Sequence, residues 1–325
     1  MMRKSLWVCV VCLAGLALWA CSKDKGNGST TPVAYDRLSL EFFSAAPLPS
    51  GMIYQLWASP KASLSASSSN WVSLARFNLR ASDTTMVDAG GAPIAGNLLT
   101  DLPVDFVDVD SIYITIEKAT GDDAAPSGTV YLRAKVPDIG AGLRIAAFTF
   151  PVSQLVRAQD SISQFTFVSP TDNNPDNGLS GVWFMTPNFT EGLFTLQALP
   201  SGWDYEGWVT VTRGAVTYVL STGRFDTPSG NDEGVSHSGP VAPPGFPGED
   251  FLNPPGTEPF PLVFGPGDQI KITAEPDQDP DSTSPFPFVV YTSPTTLVPD
   301  TLQPFRFRPH PESIPVAQGV VSKSE

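Results

Sequence analysis

The segment Leu48–Trp57, LPSGMIYQLW, recurs at Leu199–Trp208 as LPSGWDYEGW, with six of ten positions identical. Further segments match in the same order in both halves of the chain: LSLEFF (Leu38–Phe43) with LSGVWF (Leu179–Phe184), VSLARFN (Val72–Asn78) with LSTGRFD (Leu220–Asp226), and DSIYITIEK (Asp110–Lys118) with DQIKITAEP (Asp268–Pro276). A constant order with variable gaps indicates a duplicated unit whose loops have changed in length.

The matched segments alternate between apolar and polar residues. In Asp110–Lys118 every second residue is isoleucine, and Val130–Val136 repeats this period of two, which a half-buried strand converts into one apolar face. The stretch Trp208–Phe225 predicts two strands joined by a tight turn at Arg213 and Gly214. Because Pro, Gly, Asp and Asn turns separate such strands throughout, we predict an all-β protein with two tandem, related antiparallel β-sandwich domains.

Two aromatic residues follow the repeated turn in each half. Tyr54 and Trp57 are three positions apart, so in a strand they project to opposite faces, one into the core and one over the edge of the sheet. We therefore expect Trp57 and its counterpart Trp208 to be buried, each in the packing of its own domain. The alternative is that these two tryptophans form a platform on which a ligand stacks.

The amino terminus has the pattern of a secretory leader. Arg3 and Lys4 precede an uncharged stretch, Ser5–Ala20, that is too short to span a bilayer as a helix. Leu18–Cys21 (LWAC) resembles a bacterial lipobox, which implies cleavage before Cys21 and acylation of that cysteine with palmitate-type chains. We expect a lipid anchor in the cell envelope, with Ser22 favouring transport across the periplasm to the outer membrane.

Composition excludes several classes of function. The formal net charge is −14, which repels phosphate backbones, so nucleic-acid binding is not expected. Of the three cysteines, Cys9 and Cys12 lie in the leader, and only Cys21 remains after cleavage. A disulfide or a thiolate metal site is therefore not expected, and no cofactor is indicated.

The domain organisation follows from the repeat and from shifts in composition. We predict a signal peptide at 1–20, a linker at 21–35, a first repeat at 36–165, a second repeat at 166–305 with a Pro/Gly-rich excursion at 238–267, and a tail at 306–325.

The first half resembles the extracytoplasmic C-terminal domain of anti-sigma-K factors. The resemblance rests on Tyr54–Trp57 (YQLW), Val72–Phe77 (VSLARF) and Ile114–Glu117 (ITIE), the last followed by the turn Gly121–Gly128 (GDDAAPSG). The second half keeps the same frame more loosely. Because a lipidated cysteine stands where that family has a sigma-binding domain and a membrane helix, the resemblance implies a β-rich envelope module and not sigma-factor inhibition.

Candidate metal and catalytic residues are few. The two histidines, His237 and His310, lie in Pro/Gly/Ser-rich surroundings that do not suit a Ser-His-Asp arrangement. Asp172–Gly178 (DNNPDNG) and Asp277–Asp281 (DQDPD) space acidic residues as calcium loops do, but both lack the closing glutamate. We favour Asx turns in the first and keep weak calcium binding as the alternative for both. Neither a metal site nor a catalytic residue is predicted.

The excursion Ser238–Gly267 is the most distinctive segment, with nine prolines and six glycines. Its phenylalanines are too apolar for a free linker and must pack on their own domain or on a partner. Glu249 and Asp250 are adjacent, so on an extended chain they point apart and do not form a facing dyad. We predict packing on its own domain, and a candidate binding loop formed by Phe246, Glu249, Asp250 and Phe251.

These observations favour a non-enzymatic cell-envelope lipoprotein that senses, binds or scaffolds, with an envelope protein as the expected partner. The alternative is an envelope hydrolase or carbohydrate-active protein that uses carboxylates such as Glu249 or Asp250. A purely structural role in the envelope is the third hypothesis.

Overall fold

The computed structural model describes residues 34–61, 71–121, 123–138, 144–152, 155–157, 162–234, 237–253, 260–277, 279 and 283–324. The predicted signal peptide, Cys21 and the linker up to residue 33 lie outside the described residues. Ala34–Glu325 forms one compact unit of antiparallel strands, so the predicted all-β, sandwich-like fold is confirmed. Across the described ranges we find no helix with the length and apolar character needed to traverse a membrane.

In the ranges just given, the strands follow one another along the chain with four short 3-10 turns between them. The first repeat contains β1 Arg37–Phe42, β2 Met52–Pro60, β3 Val72–Leu79, β4 Met86–Asp88, β5 Leu98–Leu99, β6 Val109–Lys118, β7 Val130–Lys135 and β8 Arg144–Thr149. Then come β9 Gln164–Phe167, β10 Gly181–Trp183, β11 Trp203–Arg213, β12 Val216–Phe225, β13 Gly248–Asp250, β14 Gln269–Pro276, β15 Val289–Thr292, β16 Phe305–Arg306, β17 Arg308–Pro309 and β18 Val316–Ser322. The 3-10 turns are Ala95–Asn97, Phe106–Asp108, Pro175–Asn177 and Pro311–Ser313.

The described strands form three sheets. One has the order β4-β3-β2-β6-β7-β8-β18-β1-β5, the second β12-β11-β14-β15-β17 and the third β13-β10-β9-β16. The run β3-β2-β6-β7 in the first repeat has the same order as β12-β11-β14-β15 in the second. The register also agrees, because Gln55 pairs with Arg76 and Glu206 pairs with Arg224, and in both repeats a β-bulge follows one residue later. The two halves therefore share one topology, as expected of a duplication.

Two strands are exchanged between the repeats. β9 follows β8 along the chain, yet it pairs with β10 and β16 of the second repeat. In the same way β18 follows β17, yet it lies between β1 and β8 of the first repeat. Thus β18, which follows the strands of the second repeat along the chain, completes the first repeat. In turn β9, which follows the strands of the first repeat, completes the second.

This exchange corrects two predicted boundaries. The segment 306–325 is not a tail, because it contains the strand that closes the first repeat. The boundary at 165/166 divides β9, which belongs with the second repeat throughout its length. Neither boundary is visible in local patterns, since alternation shows that a segment is a strand but not which strand is its neighbour.

The repeated tyrosine fixes the loop that precedes its strand. Tyr54 donates its hydroxyl hydrogen to the carbonyl of Ala46 at 2.8 Å, and Tyr205 donates to the carbonyl of Gln197 at 2.7 Å. Both acceptors lie eight residues before their tyrosine. Each ring therefore enters the core while its hydroxyl ties the LPSG turn and the preceding loop to the sheet.

The repeated tryptophan is buried on the opposite face, as predicted. Trp57 and Trp208 are each 1% exposed, which excludes the alternative that they form a stacking platform for a ligand. Trp57 Nε1 donates to Thr115 Oγ1, and Trp208 Nε1 donates to Thr273 Oγ1, both at 2.9 Å. Because β2 and β11 lie inside their sheets, the tryptophans cover a central strand and not the predicted edge.

Each threonine passes the chain of hydrogen bonds to a buried glutamate. Thr115 donates to Glu117, whose Oε1 also accepts the backbone N–H of Ser127 at 2.9 Å. In the second repeat Thr273 donates to Glu275, and the backbone N–H of Phe286 donates to the same Oε1 at 2.9 Å. The recurrence of Tyr-x-x-Trp with Ile-Thr-x-Glu is therefore explained: together they lock each sheet to the loop that leads into its next strand.

One residue departs from the predicted alternation. Leu132 and Ala134 are buried and Arg133 is exposed, as predicted for β7, but Tyr131 is also buried, with its ring 4.9 Å from that of Tyr54. A β-bulge lies between the pairs Ile114–Leu132 and Thr115–Val130, and Tyr131 is the extra residue of that bulge. The bulge turns its side chain to the inner face.

An aromatic cluster joins the repeats. Trp203 donates from Nε1 to the carbonyl of Val130 at 3.2 Å, and its ring packs edge-on against Phe150 and Phe288, at 5.3 and 6.0 Å between centroids. The preceding Gly202 has φ +89°, and a Cβ at that position would lie 2.7 Å from the backbone of Gly128. Only glycine permits this approach, so the repeats share one core.

Candidate functional site

The two repeats differ in charge at one equivalent position of the shared frame. In the first repeat Gln55 donates from Nε2 to Ser73 Oγ at 2.9 Å. In the second repeat Glu206 takes this place and accepts Ser221 Oγ at 2.5 Å and Arg224 Nε at 3.2 Å. The equivalent strand positions thus carry a neutral amide in one half and an ion pair in the other.

Glu206 opens onto a cleft that is formed by the second repeat. The cleft has a volume of 260 Å³, and its polar lining consists of Glu206, Ser221, Arg224, Glu233, His237 and Glu249. Three of these side chains are carboxylic acids and one is a guanidinium, which Glu206 already pairs. The cleft is therefore acidic, and its walls come from β11, β12, β13 and the loop between β12 and β13.

Glu249 is the most deeply buried acid of the cleft, at 2% exposed. It lies on β13, opposite Val182 of β10. Its carboxyl accepts hydrogen bonds from the Ser238 hydroxyl, from its neighbour's backbone N–H at 2.9 Å and from the backbone N–H of His237 at 3.4 Å. Burial raises the pKa of Glu249 to about 7, although these hydrogen bonds oppose the shift.

His237 closes the cleft from the other side and is 7% exposed. Its ring lies against Phe251 and Phe260, at 5.3 and 5.4 Å between centroids. Nδ1 lies 3.1 Å from the carbonyl of Asn253, and because a carbonyl only accepts, Nδ1 carries the hydrogen. No local pattern identifies this histidine as a lining residue, because the facing walls of the cleft come from β11 and β12.

A close backbone approach shapes the loop wall. Gly223 has φ +105°, and a Cβ there would meet the carboxyl carbon of Asp232 at 2.8 Å. Ala75 stands at the equivalent place in the first repeat. Because Gly223 has no Cβ, there is room for Asp232 to accept a hydrogen bond from the backbone N–H of Gly248 at 2.8 Å, which fixes the loop beside β13. Burial raises the pKa of Asp232 to about 7.

The structure separates the four residues of the predicted binding loop. Phe251 is fully buried in the core, which confirms packing on its own domain, while Phe246 is partly exposed. Asp250 points away from the cleft and accepts the backbone N–H and hydroxyl of Thr171 at 2.7 and 2.5 Å and Trp183 Nε1 at 2.7 Å. Glu249 alone of the four lines the cleft, so the two acids point apart as predicted.

The first calcium candidate, Asp172–Gly178, behaves as a turn. Asn174 caps the 3-10 turn Pro175–Asn177 by accepting the backbone N–H of Asp176 at 3.1 Å, and Asp172 accepts the backbone N–H of Asn174 at 3.1 Å. Of Asp277–Asp281 only residues 277 and 279 are described. Within the described ranges, no group of three His, Cys, Asp or Glu side chains is arranged to hold a metal ion.

Comparisons of the chain with protein-family models, with curated proteins and with solved structures found no match. The resemblance to the anti-sigma-K domain therefore remains a prediction from the sequence.

Proposed function

We propose that this chain is a non-enzymatic binding protein of the bacterial cell envelope, held by acyl chains on Cys21, whose second repeat binds an amine-bearing ligand in the acidic cleft. The observation that carries the proposal is the cleft itself, where three carboxyl groups face a single arginine. The two copies of a duplicated sequence are identical at first. A charged residue that only one copy carries at a buried position is therefore better explained by ligand binding than by a requirement of the fold.

The charge balance of the cleft supports an ammonium ligand. Arg224 Nε lies 3.2 Å from the carboxylate of Glu206, and Arg224 Nη1 lies 4.0 Å from that of Asp204. The guanidinium charge of Arg224 is therefore already paired with carboxylates of the chain. Glu249 forms no ion pair with any described lysine or arginine. An ammonium group in the cleft would supply that partner, and the small volume of 260 Å³ suits a single amine-bearing group or one lysine side chain of a partner protein.

Titration tests the proposal. The full chain is titrated with putrescine and glucosamine, with N-acetylglucosamine as the uncharged control, by isothermal calorimetry at pH 6 and pH 8. We expect the amines to bind and to bind more tightly at pH 8, because burial raises the pKa of Glu249 to about 7 and only its ionised form pairs with an ammonium. Glu249→Gln is expected to weaken binding at least about tenfold.

Two variants make the titration decisive. Glu206→Gln places the side chain of the equivalent first-repeat position in the cleft and should weaken binding without unfolding the chain, since that repeat tolerates it. Glu41→Gln, on the exposed side of β1, is the matched control and should bind as the wild type does. Equal affinity of the wild type and Glu249→Gln, or no amine binding at millimolar concentration, would contradict the proposal.

A hydrolase of envelope glycans is the second candidate. It is favoured by the presence of two buried acids in one cleft. Burial raises the pKa of both, that of Glu249 to about 7, so that Glu249 can keep a proton, and Glu206 is in addition paired with Arg224. Turnover of glycosides by the wild type that Glu249→Gln abolishes would support this candidate over binding alone.

The lipid anchor makes a separate prediction. Growth with an alkyne-labelled fatty acid is expected to label the wild-type chain and to leave Cys21→Ser unlabelled, because the mature chain then has no thiol to acylate. The wild type should fractionate with outer membranes. An equally labelled Cys21→Ser chain would refute acylation at this residue.

A further inference from the structure

A second groove lies on the second repeat and shares no lining residue with the acidic cleft. It has a volume of 520 Å³ and forms between the segment that follows β15 and the segment that holds β16 and β17. Its lining includes Thr295, Thr296, Arg306, Arg308, Pro309 and Pro311. Whereas the acidic cleft presents carboxyl groups, this groove presents two guanidinium groups.

The two arginines are presented by a rigid segment. Arg306 and Arg308 flank Phe307, which is 2% exposed, so the alternation of an extended chain directs both arginines to the side opposite the core. The ring of Phe307 lies 4.7 Å from that of Phe165 and 5.5 Å from that of Tyr291. Because the two arginines are two positions apart along an extended chain, their Cα atoms are about 6.5 Å apart.

Neither arginine forms an ion pair within the described part of the chain. Elsewhere in the described part of this chain of net charge −14, Arg80, Arg213 and Arg224 do pair with acids, as Arg213 does with Asp268 at 2.8 Å. The acid at the rim of the groove, Glu312, accepts from His310 Nδ1 at 2.8 Å and is largely exposed. It therefore offsets only part of the charge of Arg306 and Arg308.

We propose that this groove binds the phosphate group of a phosphorylated ligand. A guanidinium offers a planar fork of N–H donors that takes two oxygens at once. One carboxylate satisfies a single fork, whereas a phosphate monoester has three terminal oxygens and can engage both arginines together. The threonine hydroxyls at 295 and 296 add neutral donors, and the proline walls hold the groove open.

Calorimetric titration of the full chain tests this. We expect glycerol 3-phosphate and inorganic phosphate to bind, and acetate at the same ionic strength to bind at least about tenfold more weakly. Arg306→Gln and Arg308→Gln are each expected to lower phosphate affinity at least about fivefold, and the double variant to abolish binding. Both side chains are exposed, so melting temperatures should not change.

Control variants show whether phosphate binds in this groove or elsewhere on the chain. Arg144→Gln removes an exposed arginine of β8 outside the groove and should bind phosphate as the wild type does. Glu249→Gln should also bind normally, so failure of the cleft proposal leaves this one intact. Equal binding by the double variant, a preference for acetate, or no phosphate binding either by calorimetry or by vesicle sedimentation would overturn the proposal.

Vesicle sedimentation identifies the source of the phosphate. Vesicles of phosphatidylcholine with and without phosphatidic acid are sedimented with the chain. Cosedimentation that needs phosphatidic acid and is lost in the double variant identifies a lipid headgroup. Binding of glycerol 3-phosphate without such cosedimentation identifies a soluble phosphate ester.

Discussion

Deletion of Val316–Glu325 is expected to unfold the first repeat. β18 lies between β1 and β8, and without it both strands lose a complete ladder of backbone hydrogen bonds. Its buried Ala317 and Val321 also leave the core. Since a domain is stable by only about 5–15 kcal/mol, a loss of this kind exceeds what the repeat can tolerate. Circular dichroism and amide hydrogen exchange would show the loss.

Two further variants confine the effect to the strand. Deletion of Lys323–Glu325 removes a contact of Lys323 with the ring of Tyr35 and one backbone hydrogen bond, from Ser324 to Ala34 at 3.3 Å, and should leave stability almost unchanged. Gly319→Val keeps the chain length but places a side chain against Phe148 and Leu38, 3.0 and 3.2 Å from its Cβ, and should destabilise by about 1–3 kcal/mol. Protected amides in β1 and β8 after the long deletion would show that the exchange is dispensable.

Stability is expected to fall by about 3 kcal/mol or more between pH 5 and pH 8.5. Burial raises the pKa of Glu275 to about 8, and that of Glu249 and of Asp232 to about 7, well above the values near 4 of an unfolded chain. These groups therefore keep their protons in the folded state and lose them in the unfolded state as the pH rises. The contribution of these three groups to the free energy of unfolding is fully present below about pH 4. It is lost as the pH rises through their folded-state pKa values, at about pH 7–8.

Glu275→Gln tests the largest contribution. The amide is neutral at every pH and its oxygen can still accept from Thr273 and from the backbone N–H of Phe286. We expect the variant to match the wild type at pH 5 and to exceed it by about 2–4 kcal/mol at pH 8.5, as measured by urea denaturation. Parallel stability curves for the two proteins would contradict this assignment.

Much of the fold could be predicted because it depends on local pattern. The period of two in Asp110–Lys118 and the glycine turn at Gly214 predicted strands that the structure confirms, with the turn at Gly214 and Ala215. The exchange of β9 and β18 could not be predicted. Their pairing is a choice among partners far apart in sequence, and either strand would satisfy the same alternation in its own repeat.

The site is harder to predict for a related reason. Glu249 stands out within its proline-rich loop, but the other walls come from β11, β12 and the residues before β13, which only the folded chain brings together. A signal is nevertheless present: the eighth position of the repeated decapeptide is Gln55 in one copy and Glu206 in the other. Within a duplication, shared residues report on the fold, and differences of charge report on function.

The reciprocal strand exchange also dictates an order of assembly. A chain made from its amino end presents β9 before the rest of the second repeat, so that half can condense as soon as β17 has emerged. The first repeat must wait for β18, because Arg37 of β1 pairs with Ser322 near the opposite end of the chain. Such distant pairing makes folding slow. The half-finished first repeat is therefore the long-lived intermediate that chaperones and proteases would meet.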